Sequence, residues 1–416
     1  MPARPLRRVV AVLACLACLW VPQAASPVGA GGRTAGEPGS GPQPWSVSGT
    51  FSVNGIRWSD VDRHHWANRA IDFVGATNPW MRDFRAPGPD GELAFRPDML
   101  ERRRLFARSL VRAFGDGLVE DPELEFADLP RNDRFASYAN LAVTAGWMRV
   151  DDHGAFRPLE PVTTREVHRA LVLALGLGEL AAGADALHLR DGTPIPTPPD
   201  FGTLLIGMKL GLRFNHGDET LDVGPDTQLT RGEVAWSLYR AATVPSWTVD
   251  ALAPFATMEL PNLGEDMMQV LKFAVRYVGY PYVWGGEWNT AGPAGYCCGY
   301  QPVGGFDCSG LAWWLLKADA SGWDNTPPRE YAGWGLGQRT SASMASVGRR
   351  IRWDEIQPGD LLFYDGNGDG TVDHVDTYVG NGWAVDSGSS NAGVTFTYVT
   401  GTWYEDHFVR ARRIVR

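Results

Sequence analysis

Phe306-Asp307-Cys308-Ser309-Gly310, followed at once by Leu311-Ala312-Trp313-Trp314-Leu315-Leu316, decides how the second half of this chain is read. The unbroken apolar run predicts a buried helix, and the polar residues ahead of it predict its start. Cys308 therefore falls in the first turn, where the partial positive charge of a helix end favours thiolate over thiol. Downstream, His374 heads a β-like segment, His374-Val375-Asp376-Thr377-Tyr378-Val379, and Asp386 lies in Trp383-Ala384-Val385-Asp386. A thiol, an imidazole and a carboxylate in that order make a nucleophile, a base and a group that orients the base. Asp376 is a rival for the orienting place, because it lies two residues past His374 on the same face of a strand.

The length of 416 residues predicts two or more domains, and 44% hydrophobic with 21% charged residues is the composition of a globular protein. A net charge of −10 argues against nucleic acid as a partner, since that binding needs basic patches. Lysine is scarce: Lys209, Lys272 and Lys317 are the only ones, and arginine carries nearly all the positive charge. At the N-terminus, Arg4, Arg7 and Arg8 precede an apolar stretch at 9–21 and the small residues Ala24-Ala25-Ser26. This is the pattern of a secretory signal, expected at 1–25, and it predicts an exported protein. Its removal takes Cys15 and Cys18 and leaves Cys297, Cys298 and Cys308, an odd number with at least one free thiol. Cys308 has the helix-start context for that role. The adjacent Cys297 and Cys298 form a strained vicinal disulfide or are simply small buried groups.

Residues 26–49 are Gly/Pro/Ser-rich and read as a flexible leader. A worn internal repeat then occupies 50–243, with copies at 56–115, 124–178 and 186–243. The first contains Trp58-Ser59-Asp60-Val61 and Asp90-Gly91-Glu92-Leu93-Ala94-Phe95-Arg96-Pro97, then a helical stretch to Phe114. The second passes through Gly154-Ala155-Phe156-Arg157-Pro158 and Val162-Thr163-Thr164-Arg165-Glu166. The third passes through Leu221-Asp222-Val223-Gly224-Pro225 and Leu229-Thr230-Arg231-Gly232-Glu233. Thr164 and Thr230 are the expected caps of the second helix in copies two and three. Units this short bury their apolar faces only against one another. Residues 244–264 carry Pro245, Pro254 and Pro261 and read as a linker.

On these motifs, 50–243 resembles three S-layer homology repeats. The resemblance implies an all-α bundle that binds a secondary cell-wall polymer, with Arg165 and Arg231 contacting the polymer's acid groups. It carries over poorly to Arg102 or Arg103, where Leu100-Glu101-Arg102-Arg103 replaces the motif. Residues 265–416 resemble the papain-like NlpC/P60 peptidases. The matching pieces are Gly279-Tyr280-Pro281-Tyr282-Val283-Trp284-Gly285-Gly286, the motif around Cys308, Pro358-Gly359-Asp360-Leu361-Leu362-Phe363-Tyr364, Asp373-His374-Val375 and Tyr378-Val379-Gly380-Asn381-Gly382. The expected architecture is thus multidomain, an all-α repeat bundle followed by an α+β papain-like domain.

The resemblance implies hydrolysis of an amide in the peptidoglycan stem peptide, typically γ-D-glutamyl to diaminopimelate, by a secreted, wall-associated thiol peptidase. Cys308 is then the nucleophile, His374 the base and acid, and Asp386 the orienting residue, where many relatives carry His. The Cys308 N–H and the Tyr282 hydroxyl would face the oxyanion, and Asp307 and Ser309 would bind the free amine of the stem peptide. Catalysis requires no cofactor. A papain-like amidase or acyltransferase on another substrate, or a catalytically silent wall-binding protein, are the alternatives. One further motif overlaps His374. Asp365, Asn367, Asp369, Thr371, Asp373 and Asp376 fall at the ligand spacing of a calcium loop, with Gly370 at its sixth position. The expectation is a structural calcium, set against an ordinary acidic hairpin.

Overall fold

The computed structural model describes residues 56–83, 92–288, 291–292, 301–317 and 335–414. The signal, the leader and the Cys297-Cys298 pair lie outside the described residues. The first half is helical: α1 (Asn68–Ile71), α2 (Arg103–Phe114), α3 (Ala136–Thr144), α4 (Thr164–Ala174), α5 (Gly178–Asp185), α6 (Phe201–Lys209) and α7 (Arg231–Thr243).

The internal repeat is visible in the backbone. The segments that lead into α2, α4 and α7 close a ring: Glu101 N–H donates to Leu229 O, Leu229 N–H to Val162 O, and Val162 N–H to Glu101 O, each at 2.9 Å. This ring sets the register of the copies. Arg103, Thr164 and Arg231 each open their helix, so Arg231 corresponds to Arg103 and not to Arg165. The side chains agree. Arg103 Nε donates to Phe156 O at 2.8 Å and Arg231 Nε to Phe95 O at 2.7 Å. Each guanidinium also lies over the ring of the same phenylalanine, at 5.1 and 4.9 Å. The same register makes Thr163, not Thr164, the cap of α4, in a capping box with Glu166. Thr230 caps α7 as expected.

Arg231 is therefore a clamp between copies one and three rather than a free polymer contact. It is buried, its Nη1 donates to Glu101 Oε2 at 2.8 Å, and its Nη2 donates to Met81 O at 3.2 Å. Glu101 has no exposed surface. Burial pushes its carboxyl up, and Arg231 and Arg108 pull it back. Arg165 instead lies against exposed Asp226, with Nε 2.8 Å from Oδ1.

Residues 244–264, expected as a linker, are structured. They hold α8 (Ser246–Asp250), a 3-10 turn at Ala253–Thr257 against α5, and Glu259–Leu260 in parallel register with His188–Leu189. Pro245 is the N-cap of α8 and Pro254 sits in the first turn of the 3-10 segment, places where a missing N–H removes no helical bond. Two of the three prolines that resemble linker punctuation are here helix starts.

The second half has α9 (Glu265–Val275), α10 (Cys308–Leu316), α11 (Ser341–Met344) and α12 (Trp403–Asp406). Its strands are β1 (Arg349–Ile351), β2 (Leu361–Tyr364), β3 (His374–Gly380), β4 (Trp383–Gly388), β5 (Gly393–Tyr398) and β6 (Phe408–Arg413). They form one six-stranded sheet in the order β5-β4-β3-β2-β6-β1, with every neighbouring pair antiparallel. Helix α10 lies across β3 and β4. This is the expected α+β architecture.

The two halves share one core. Helix α6, Phe-Gly-Thr-Leu-Leu-Ile-Gly-Met-Lys, is buried from Phe201 to Met208. A helix that is apolar all round must be covered all round. Here α4 and α5 cover one side and β5 the other, with the Phe201 and Phe396 rings 5.9 Å apart.

The clamp and the surface pair should separate in equilibrium denaturation. Arg231→Met leaves the Glu101 carboxylate buried without its partner and should lower stability by about 3–5 kcal/mol. Arg165→Ala breaks an exposed pair and should cost under about 1 kcal/mol. Equal small losses would remove the clamp.

Candidate active site

Helix α10 places Cys308. Asp307 caps it, with Oδ1 accepting from Gly310 N–H at 2.5 Å, and Oδ2 accepts from Gly285 N–H at 3.0 Å. Arg339 closes over this cap. Its Nη1 donates to Asp307 Oδ1 at 3.0 Å and to Ser309 Oγ at 2.8 Å, while Nε donates to Glu287 Oε1 at 2.7 Å. All four of these side chains are buried. Burial opposes the arginine charge, but Asp307 and Glu287 outweigh it and raise the guanidinium further. Asp307 and Ser309, expected to bind a substrate amine, are thus committed to Arg339 and to the helix start. These contacts fix the helix start that carries Cys308. Sequence reasoning missed Arg339 and Glu287, because nothing local marks a single arginine in Gln338-Arg339-Thr340.

His374 opens β3 opposite Tyr364 of β2. Strand alternation puts Asp376 on the same face, and its Oδ1 lies 2.8 Å from His374 Nε2. That contact lies off the line of the ring N–H, so it is an ion pair more than a linear hydrogen bond. Asp386, from β4, has Oδ2 3.8 Å from the same nitrogen. Its Oδ1 accepts from Thr395 Oγ1 at 2.8 Å and Thr397 Oγ1 at 2.9 Å. The structure thus reverses the expected ranking: Asp376 is the nearer partner of the imidazole and Asp386 the second. The reason is register, which brings Asp386 beside the β3 carboxylate but leaves the closer approach to Asp376.

With Nε2 toward the carboxylates, the imidazole lies close enough to Cys308 to feel its charge, at the junction of α10 and β3. Burial works against a charged ring, but Asp376 and Cys308 outweigh it and hold His374 well above the usual imidazole range. A raised imidazole stabilises the fold fully below its ordinary value of 6.5, and this contribution fades as pH climbs through the folded value. Burial also raises Asp376, and Asp386 adds to the rise, while His374 pulls it down. Tyr282 is partly buried near the thiol. Burial first, then Cys308 and Asp307, push its hydroxyl far above the usual phenol range, so it stays a donor.

The acidic loop after β2 does not form the expected calcium cage. Asp365 accepts from the Gly368, Asp369 and Gly370 amides at 2.7, 3.2 and 2.7 Å. Asn367 accepts from Asp369 N–H, Asp369 from Thr371 N–H, and Asp373 from Gly366 N–H. Asp376, the expected twelfth-position ligand, is fully buried beside His374. The loop's side-chain oxygens accept from its own amides, and Asp376 stands apart from them.

The reversed ranking is testable on the thiol itself. Asp376→Asn removes the nearer negative charge, so the thiolate–imidazolium pair should weaken and iodoacetamide should alkylate Cys308 roughly ten- to thousandfold more slowly near pH 6. Asp386→Asn should slow it less. Cys308→Ser gives the baseline, and a larger effect at Asp386 would restore that residue as the main partner.

Residues 279–413 match the NlpC/P60 family, a span that holds Cys308, His374 and both carboxylates. The bifunctional muramidase/DL-endopeptidase CwlT of Bacillus subtilis is 33% identical over 147 residues, 35% of this chain and 36% of that protein. The murein DD-endopeptidase MepH of Escherichia coli is 31% identical over 143 residues, 34% of this chain and 43% of that protein. The chain thus spans less than half the length of these two relatives. The peptidoglycan endopeptidase RipB of Mycobacterium tuberculosis is 31% identical over 234 residues, 55% of this chain and 77% of that protein. A likeness that runs through most of one relative, centred on a thiol at a helix start facing an imidazole at a strand start, places this chain in the NlpC/P60 family.

Proposed function

We propose that this protein is an exported cysteine endopeptidase that hydrolyses an amide bond in the peptidoglycan stem peptide, the bond from γ-D-glutamate to diaminopimelate. The observation that carries the reading is the Cys308 thiol at the start of α10 beside the His374 imidazole, with Asp376 2.8 Å from the ring. The names of the relatives supply the substrate class: MepH is a murein endopeptidase, RipB a peptidoglycan endopeptidase and CwlT a muramidase and DL-endopeptidase.

The reaction follows from the residues. The Cys308 thiolate attacks the carbonyl carbon, and the carbonyl oxygen takes up the electron pair as an oxyanion. The Cys308 N–H at the helix start and the Tyr282 hydroxyl are the donors available to that oxyanion. When the tetrahedral species collapses, the C–N bond breaks and His374 gives its proton to the leaving amine. Neutral His374 then takes a proton from water as it attacks the thioester, releasing the carboxylate product and restoring thiolate and imidazolium. Asp376 and Asp386 keep the ring oriented and favour its charged form throughout.

The helical half is proposed as the wall-binding part. Support comes from the threefold ring of its repeats. Arg165 is the more accessible of the two expected polymer contacts, since Arg231 is enclosed.

Incubation of the mature chain with purified peptidoglycan, followed by mass analysis of the soluble products, tests the reading. Peptides ending at D-glutamate together with fragments beginning at diaminopimelate are expected from the parent, and none from Cys308→Ala. Products cut elsewhere would point to the amidase alternative. No products from a folded parent would leave a binding protein.

A further inference from the structure

One of the three lysines in the chain reaches the back of the catalytic centre from the other half of the molecule. Lys209 ends α6, the helix wedged between α5 and β5. Its Nζ donates to Thr397 Oγ1 at 2.6 Å, and the same hydroxyl donates to Asp386 Oδ1 at 2.9 Å. Hydrogen bonds run from Lys209 through Thr397 to Asp386, whose other carboxylate oxygen lies 3.8 Å from His374 Nε2.

The charges explain why a cation is needed there. Asp376 and Asp386 are both buried behind one imidazole. Two carboxylates against one imidazolium leave an excess negative charge beside a thiol that must itself become negative. In a medium of low polarity such an imbalance is costly. We propose that Lys209, delivered by the N-terminal helical half, is a positioning residue of the Cys308–His374 centre, supplying through Thr397 the positive charge that lets Asp376 and Asp386 stand together behind His374. The helical half then completes the active site as well as preceding it in the chain.

The groups that face Lys209 from its neighbours are Asp386 on β4 and Asp376 on β3, and Tyr404 on α12 lies near the same two carboxylates. Burial lowers the lysine, and the two aspartates hold it up. The helical partner is anchored close by at other points as well. Arg213 Nη1 donates to Val223 O at 2.8 Å and also to Gly279 O, while Glu219 Oε1 accepts from Trp284 N–H at 2.5 Å.

The proposal rests on Cys308 being the nucleophile, and its test reads that thiol without any assumption about substrate. In the full chain, the rate of Cys308 alkylation by iodoacetamide is followed against pH for the parent, Lys209→Met and Lys209→Arg, with thermal melts alongside. Removing a cation disfavours every anion it faced. The Lys209→Met curve should move to higher pH by about one unit, which is about tenfold slower alkylation at a fixed pH on the rising limb. Lys209→Arg keeps the charge and should stay near the parent. A Lys209→Met curve that superimposes on the parent overturns the proposal. If Lys209→Met loses its cooperative melt, Thr397→Val decides, since it cuts the bridge without removing a charge. An upward shift of the same sign supports the role, and superposition overturns it. Peptidoglycan digestion by the parent is run in parallel. A parent that alkylates with the expected Lys209 dependence yet releases no muropeptides would sink the substrate reading and leave the positioning role standing.

Discussion

Gly310 carries the tightest contact at the catalytic centre. A side chain at that position would begin 1.9 Å from the Gly286 carbonyl oxygen. Only glycine lets the first turn of α10 lie flush on the 285–286 backbone. That approach brings the Gly285 N–H to Asp307 and the Gly286 carbonyl to Arg339 Nη2, 3.1 Å away. The start of α10 is thereby pinned from two sides. Its apolar body then lies across β3 and β4, and the thiol at its N-terminus meets the imidazole at the start of β3. A displaced helix start would separate the two reacting groups even with every catalytic residue present.

Around that junction the molecule concentrates charge in places water hardly reaches. Arg339 is shared by Asp307 and Glu287, and His374 by Asp376 and Asp386. Buried carboxylates are tolerated only where each finds a cation or a donor. The two clusters solve this differently. The structural one has a guanidinium whose fork matches its partners and does not change its charge. The catalytic one uses an imidazole, whose proton must come and go, and so depends on threonine hydroxyls and on Lys209 to hold the second carboxylate.

The helical half is joined to the catalytic half by a shared core rather than by a tether. Helix α6 has no solvent face, and residues 244–264 run through a helix, a 3-10 turn and a short parallel pairing. Removing either half would expose the apolar surface that α6 covers. The wall binding and the catalysis proposed for the two halves therefore belong to one folded unit.

Short-range pattern in the sequence was enough to place Cys308 at a helix start, His374 at a strand start, and three related helical units before them. Each of these depends on neighbours a few residues away, through apolar periodicity, capping and motif spacing. Tertiary structure alone decided which carboxylate serves the imidazole, because Asp376 and Asp386 are ranked by strand register and reach. It also decided that Arg103, not Arg165, corresponds to Arg231, since a ring of backbone hydrogen bonds sets that alignment. The same holds for Lys209 and Thr397, which are 188 residues apart and meet only because α6 is buried against β5. No local pattern records such a meeting, because it depends on how two cores close on each other.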